Sequence, residues 1–434
     1  MQENKLSLWA AVLINVNIML GVGIFINTTV LAKLGGLLGF LSYLIVGILM
    51  LPLILSKARL VEAVPSGSFY AYGKTFLSPF CGFVSSWSYF WGKLASCTLM
   101  VHTFATLLQI FIPATKTVPT VAIDCFIIVL FVGLNMLNLK TGTKIQVVLF
   151  SLKIIPILFV IIGGFAFYNN AHLTIDNALW TTFPATLALV LYAFSGFEAT
   201  CSLSGKIQNA KKNAPRAILI SYAIVVSACL LYQFAAFASV GMTLGALDHF
   251  SSFYNILANM VTAKIVAAAP YIKMILYVAM AASSLGGAYG IMFSNNWNMY
   301  YIANDNRITG CKFLKSLNTF SIPYLCVVFE GLVCLMYTFI TLGNQLPLQQ
   351  TAAFGCIIAY TISVIAFLKG IFSKQIQWSK TVALLALINC LILITSTVYS
   401  FLVTANAFSF ILFSSIMLLG IMLFIIKNHK LAQF

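Results

Sequence analysis

Two stretches decide how this chain folds: Asn17-Ile18-Met19-Leu20-Gly21-Val22-Gly23-Ile24-Phe25, and Tyr192-Ala193-Phe194-Ser195-Gly196-Phe197-Glu198. Each sets glycine in the middle of an apolar run long enough to cross a bilayer, Ser7 to Lys33 in the first case and Thr181 to Gly205 in the second. Glycine inside a helix costs about 1 kcal/mol relative to alanine, so a closely spaced pair invites the first run to unwind. Unwound backbone exposes N–H and C=O groups, which lipid forbids unless they face a cavity or a ligand. The half-helix amino ends then suit a carboxylate and the freed carbonyls an ammonium, so a zwitterion fits both. Close helix packing is the other use of such glycines, and a lone GxG would favour it. A second break, opening a second set of five spans, favours a binding site.

Outward from these breaks, the chain of 434 residues is 61% hydrophobic and only 7% charged, with mean hydropathy +1.02, whereas soluble domains carry about a quarter charged residues. At roughly 20 apolar residues per crossing, the length suffices for a dozen spans and no separate soluble domain. The apolar runs predict Ser7 to Lys33, Leu37 to Lys57, Phe80 to Phe111, Pro119 to Leu139, Thr143 to Tyr168 and Thr181 to Gly205. They continue with Ala214 to Met242, Pro270 to Ala303, Ile322 to Leu342, Leu348 to Gly370, Ser379 to Phe401 and Phe408 to Ile426. Five is odd, so residues 181–370 repeat 7–168 with inverted topology, and 379–426 add two further spans. The expected class is an all-α membrane protein with twelve transmembrane helices, the first and sixth discontinuous. Glu62 to Pro79 reads as a cytoplasmic linker of one or two short interfacial helices and Leu247 to Thr262 as an outer amphipathic segment capping a vestibule, with simple connecting loops the alternative for each.

A formal charge of +16 raises the question of nucleic acid, but the basic residues are scattered between apolar runs, with no basic surface or stacking motif. Topology accounts for them. With a cytoplasmic amino terminus, 18 of the 24 basic residues, Lys57 among them, fall in inside loops and 3 in outside loops, so the positive-inside rule predicts both termini in the cytoplasm. The first apolar run is too long for a signal-peptide core, so it reads as an uncleaved span. The ten cysteines contain no CxxC pair and read as small reduced hydrophobes. No cluster suggests catalysis, a cofactor or a metal, and no filter repeat suggests a channel.

The residues at the breaks, together with Pro65-Ser66-Gly67-Ser68-Phe69-Tyr70-Ala71-Tyr72, Asn209-Ala210-Lys211-Lys212-Asn213-Ala214-Pro215-Arg216, Ser284-Leu285-Gly286-Gly287 and Ala303-Asn304-Asp305, resemble the amino acid/polyamine/organocation transporter superfamily over nearly the whole chain. The nearest subgroup resembles the basic amino acid/polyamine antiporters. The resemblance implies the LeuT-type five-plus-five inverted repeat and a prokaryotic cytoplasmic membrane. It implies an amino acid or related small solute bound by Gly21, Val22, Gly23, Lys93, Cys97, Tyr192, Phe194, Ser195, Gly196 and Ala288, with Tyr192 as gate and Glu198 and Lys153 linked to protons. The expected activity is sodium-independent amino acid transport, proton-coupled or by exchange; an arginine/polyamine antiporter and a non-transporting sensor are the alternatives. Val22, Ala288 and Ile358-Ala359 depart from the antiporter pattern, which weighs against a guanidinium or diamine.

Charges deep in spans cost about 2.5–3.5 kcal/mol each on insertion scales and need a reason. Lys153 is placed to donate to carbonyls freed at the first break, or to serve as a structural lysine. Glu198 either exchanges a proton as span six moves or forms a fixed pair. Lys93 lies roughly 20 Å of helix from one end of its span at 1.5 Å per residue, too deep to reach water that way. It lines the substrate site and repels cations, or it neutralises Glu198.

Overall fold

The computed structural model describes residues 5–21, 23–65, 67–247, 250–263, 269–404 and 407–432, without the side chains of 26, 185, 188, 191, 192, 250, 269, 399–404, 407 and 430–432. Val22 and the side chain of Tyr192, both expected in the site, therefore lie outside the described residues. Among those described, helices account for the architecture and no strand longer than an isolated bridge forms.

The first span is two helices, α1 (Leu8–Met19) and α2 (Gly23–Gly35), bent by 51°. Ser7 starts α1, its hydroxyl accepting the Ala10 N–H at 3.2 Å. The helix stops because the Gly21 N–H bonds to the Met19 carbonyl at 2.8 Å, not to the Asn17 carbonyl four residues back that an α-helix requires. Next come α3 (Leu41–Ala63) and α4 (Phe69–Phe76). Ser78 caps α5 (Pro79–Phe111), with proline at its first position. Then follow α6 (Thr120–Asn135) and α7 (Leu139–Ala166). The sixth span is again interrupted, into α8 (Pro184–Ala193) and the five-residue α9 (Ala199–Leu203). The remainder is α10 (Ala210–Val240), α11 (Phe250–Thr262), α12 (Ala269–Asn304), α13 (Cys311–Leu314), α14 (Tyr324–Thr341), α15 (Gln345–Phe372), α16 (Lys380–Thr404) and α17 (Ala407–Ala432).

Among the described residues nine helices are long and apolar enough to cross a bilayer, and α1 with α2 makes a tenth. Large side chains such as Phe126, Val129, Ile162 and Met274 stand exposed on α6, α7 and α12, as lipid-facing positions require. The chain is a multi-pass helical membrane protein.

One expectation shifts. Helix α3 continues past Lys57 to Ala63, so Lys57 is wholly buried instead of lying in a cytoplasmic loop. Within the linker, helix α4 packs on α5 and α15 and buries Phe69 and Tyr72. Helix α5 is the axis of the fold, in contact with α12 and α15 along its length. At its middle a Cβ on Gly92 would stand 2.8 Å from the Gly355 Cα, so the two backbones touch and only glycine fits.

At the end of α12, Asp305 gathers Lys74 at 2.6 Å, Arg307 at 3.2 Å and the Tyr70 hydroxyl, while Arg307 reaches Asn428 of α17. Partial burial pushes the Asp305 carboxyl up, but the bonds from Lys74, Tyr70 and Arg307 outweigh it and hold the group below the ordinary carboxylate value. A depressed carboxylate gives stability that is complete above its unfolded pKa, about 3.9, and lost only as pH falls through the folded value. Asp305→Asn is therefore expected to loosen this latch without altering the shape of any pH profile above about pH 5. Uptake assays across that range check it, and a changed profile refutes it.

Candidate functional site

Both breaks open onto one cavity of about 410 Å³. Ile18, Met19, Gly21 and Gly23 line it from the first break and Ala193 and Ser195 from the second, with Lys93 and Ser96 of α5 and Gln350 and Tyr360 of α15 completing the wall. Of the expected site residues, Gly21, Gly23, Lys93 and Ser195 thus reach the cavity. Cys97, Phe194, Gly196 and Ala288 stand behind it. The Cys97 thiol donates to the Ala288 carbonyl at 3.5 Å, tying α5 to α12. Phe194 packs edge-on against Tyr43 and Tyr222, with centroids 5.9 and 5.6 Å away. Gly196 has φ +129°, and a Cβ there would lie 2.8 Å from Ile18 Cγ2. Glycine therefore lets the second break seat against the first.

Polar side chains hold the breaks open. The Asn15 Oδ1 accepts from the Thr200 N–H at 3.1 Å and from its hydroxyl at 3.0 Å, and the Asn15 amide donates to Ser221 at 3.1 Å. Asn15 thereby caps α9 from another helix, since Glu198 at the N-cap position gives no side-chain cap of its own. On α7, Gln146 and Lys153 lie two turns apart on one face. Gln146 accepts from the Asn17 amide, and the Lys153 ammonium donates to the Asn17 carbonyl, the one that the end of α1 leaves free.

The Glu198 carboxylate is fully buried. One oxygen accepts from Lys93 Nζ at 2.7 Å and from the Tyr89 hydroxyl at 3.3 Å, the other from the Gly196 N–H at 2.8 Å. Lys93 is at once the partner of Glu198 and part of the cavity wall. Beneath Tyr360 lies a feature the sequence reading missed. Among the described residues Lys57 Nζ makes no hydrogen bond, and it sits 4.7 Å from the Phe69 ring centre and 5.0 Å from that of Tyr360, a cation–π sandwich. Its place at the end of the apolar run, two residues before Arg59 and five before Glu62, hid it as a loop residue. Among the described residues, no group of three His, Cys, Asp or Glu is arranged to hold a metal.

Residues 6–433 match the family described as amino acid permease. The chain belongs to that family. The chain thereby falls in the amino acid/polyamine/organocation superfamily. It is 30% identical over 220 residues to the amino-acid permease RocE of Bacillus subtilis, covering 46% of each chain. It is 25% identical over 244 residues to a protein named an uncharacterized transporter in Mycobacterium tuberculosis, covering 55% of this chain and 54% of the relative. A protein of the same description in Mycobacterium bovis matches to the same extent. The chain spans about half the length of these relatives.

Proposed function

We propose that the protein is a sodium-independent carrier of neutral or acidic amino acids, coupled to protons through Glu198. One observation carries this: two interrupted spans meet at one shared cavity of about 410 Å³, within the range of small-molecule sites. The first turn of α2 offers N–H groups without intrahelical partners, suited to a carboxylate. The ends of α1 and α8 offer carbonyls to an ammonium. The start of α9 is already occupied by Asn15 and Glu198, which leaves α2 as the carboxylate end. Lys153 stands at the freed Asn17 carbonyl, where a cation is needed, and this supports independence from sodium.

In this reading α6, about 24 Å long at 1.5 Å per residue, and the α8–α9 pair complete twelve crossings in an inverted five-plus-five repeat, with α16 and α17 appended. The bacterial membrane is the cytoplasmic one and both termini lie inside it. The side of Lys57 and Asp305 is then cytoplasmic and closed, and the cavity runs toward the opposite end, along α15 to Gln345 in its first turn.

Saturable counterflow in proteoliposomes, with candidates chosen by thermal shift, tests the carrier reading against a channel and against a sensor. Lys93 supplies the charge facing the substrate, so Lys93→Ala is expected to improve competition by arginine by about tenfold or more, since placing a like charge nearby costs several kcal/mol. Efficient arginine transport by the unaltered protein sinks this assignment.

A further inference from the structure

Beyond Glu198, a second carboxylate lies within the spans. Glu330, midway along α14, has no exposed surface, and among the described residues neither of its oxygens has a hydrogen-bond partner. The ionisable groups that face it are thiols, Cys326 and Cys334 from its own helix and Cys97 from α5. Among the described residues, α6, α12, α13 and α15, which also pack on α14, bring it no charged partner. Asp124 of α6 is taken by His102 of α5 at 2.8 Å. An ionised carboxylate buried without a cation or donor is far costlier than the neutral acid, and intramembrane ionisable groups mark proton or ion paths by default.

Glu330 also adjoins the working part of the protein. One turn along α14, Cys334 donates to the Leu94 carbonyl at 3.8 Å, and Tyr337 to the Trp91 carbonyl at 3.3 Å. Helix α14 is thus fastened to the reverse side of the α5 turn that carries Lys93 and Ser96 into the cavity.

We propose that Glu330 is a proton-binding site distinct from Glu198, occupied by a proton in this conformation and exchanging it with water when the helices move. In that step the acid O–H bond breaks, the proton passes to a water molecule admitted along the opened path, and a carboxylate remains. The exchange rests on the carrier reading; the bound proton does not.

Infrared spectroscopy of the purified full chain tests it. At pH near neutrality the protein is expected to show the C=O stretch of a neutral carboxylic acid. The band persists in Glu198→Gln and disappears in Glu330→Gln, and Glu330→Met serves if the amide variant does not purify. In D2O the band is expected to shift within hours. L-alanine or L-glutamate, whichever raises the melting temperature, is expected to speed the shift at least threefold. Absence of the band, its survival in the Glu330 variant, or a band still unshifted after a day overturns the proposal. If neither amino acid moves the melting temperature, the substrate reading fails, while the resting band and its exchange still decide the role of Glu330.

Discussion

Replacing Glu198 by glutamine is expected to abolish the pH dependence of uptake and to slow transport by about tenfold or more. Two separate effects produce this. Glutamine cannot gain or lose a proton, so whatever couples protonation to the movement of α8 and α9 is removed. It also leaves the Lys93 ammonium, only 3% exposed, without its counter-charge, and breaking one side of a buried pair costs about 3–5 kcal/mol. The two effects separate in the double variant. Lys93→Met together with Glu198→Gln removes both charges and is expected to regain most of the lost thermal stability, while its uptake stays indifferent to pH. Proteoliposome uptake across the physiological pH range and melting curves measure both. A Glu198→Gln protein that expresses normally and keeps its pH dependence rejects the proton role.

Lys153→Met is expected to be nearly as damaging. The methionine fills the space but strips the Asn17 carbonyl of its donor, and a buried polar group left unpaired costs about 1–3 kcal/mol. The end of α1 then loses a tie to α7 and the break can relax. Uptake is expected to fall about tenfold or more, with a modest loss of melting temperature. The same reasoning gives a control in the unaltered protein: replacing sodium by choline leaves the uptake rate unchanged. Sodium-stimulated uptake, or full activity in Lys153→Met, removes the ammonium from the mechanism.

The breaks themselves were readable in the sequence because glycine carries a local, position-specific cost inside a helix, which needs no knowledge of neighbours. The bulk of the spans was readable for the same reason, since lipid imposes one rule on each segment separately. What the sequence concealed depends on which helix faces which. Cys97 and Ala288 have the right depth for the cavity, yet they face each other behind its wall; depth follows from periodicity, facing does not. Lys57 was hidden because α3 runs on past the apolar run, through polar residues that periodicity assigns to a loop. Glu330 was visible as the single acid in the apolar run Ile322 to Leu342, and its meaning came from its having no hydrogen-bond partner among the described residues, which only the packing reveals. The partners of Lys93 followed the same rule: both alternatives were open in the sequence, and the structure joins them, one side chain serving pair and wall together.

Asn15 reaches across to cap α9, a contact between residues 185 positions apart in the chain. A helix of five residues has no stability of its own, so it forms only when Asn15 is already in place. At about 5–20 residues per second of synthesis, the first span waits on the order of 10–40 s in the bilayer before its partner emerges. Throughout that interval its kinked end, with Asn15, Asn17 and a free carbonyl, has neither α9 nor, for most of it, Lys153. The feature that makes a binding site in the finished protein is thus a liability during biogenesis, and the newborn span needs a protected, hydrated berth beside the insertion machinery until the sixth span arrives.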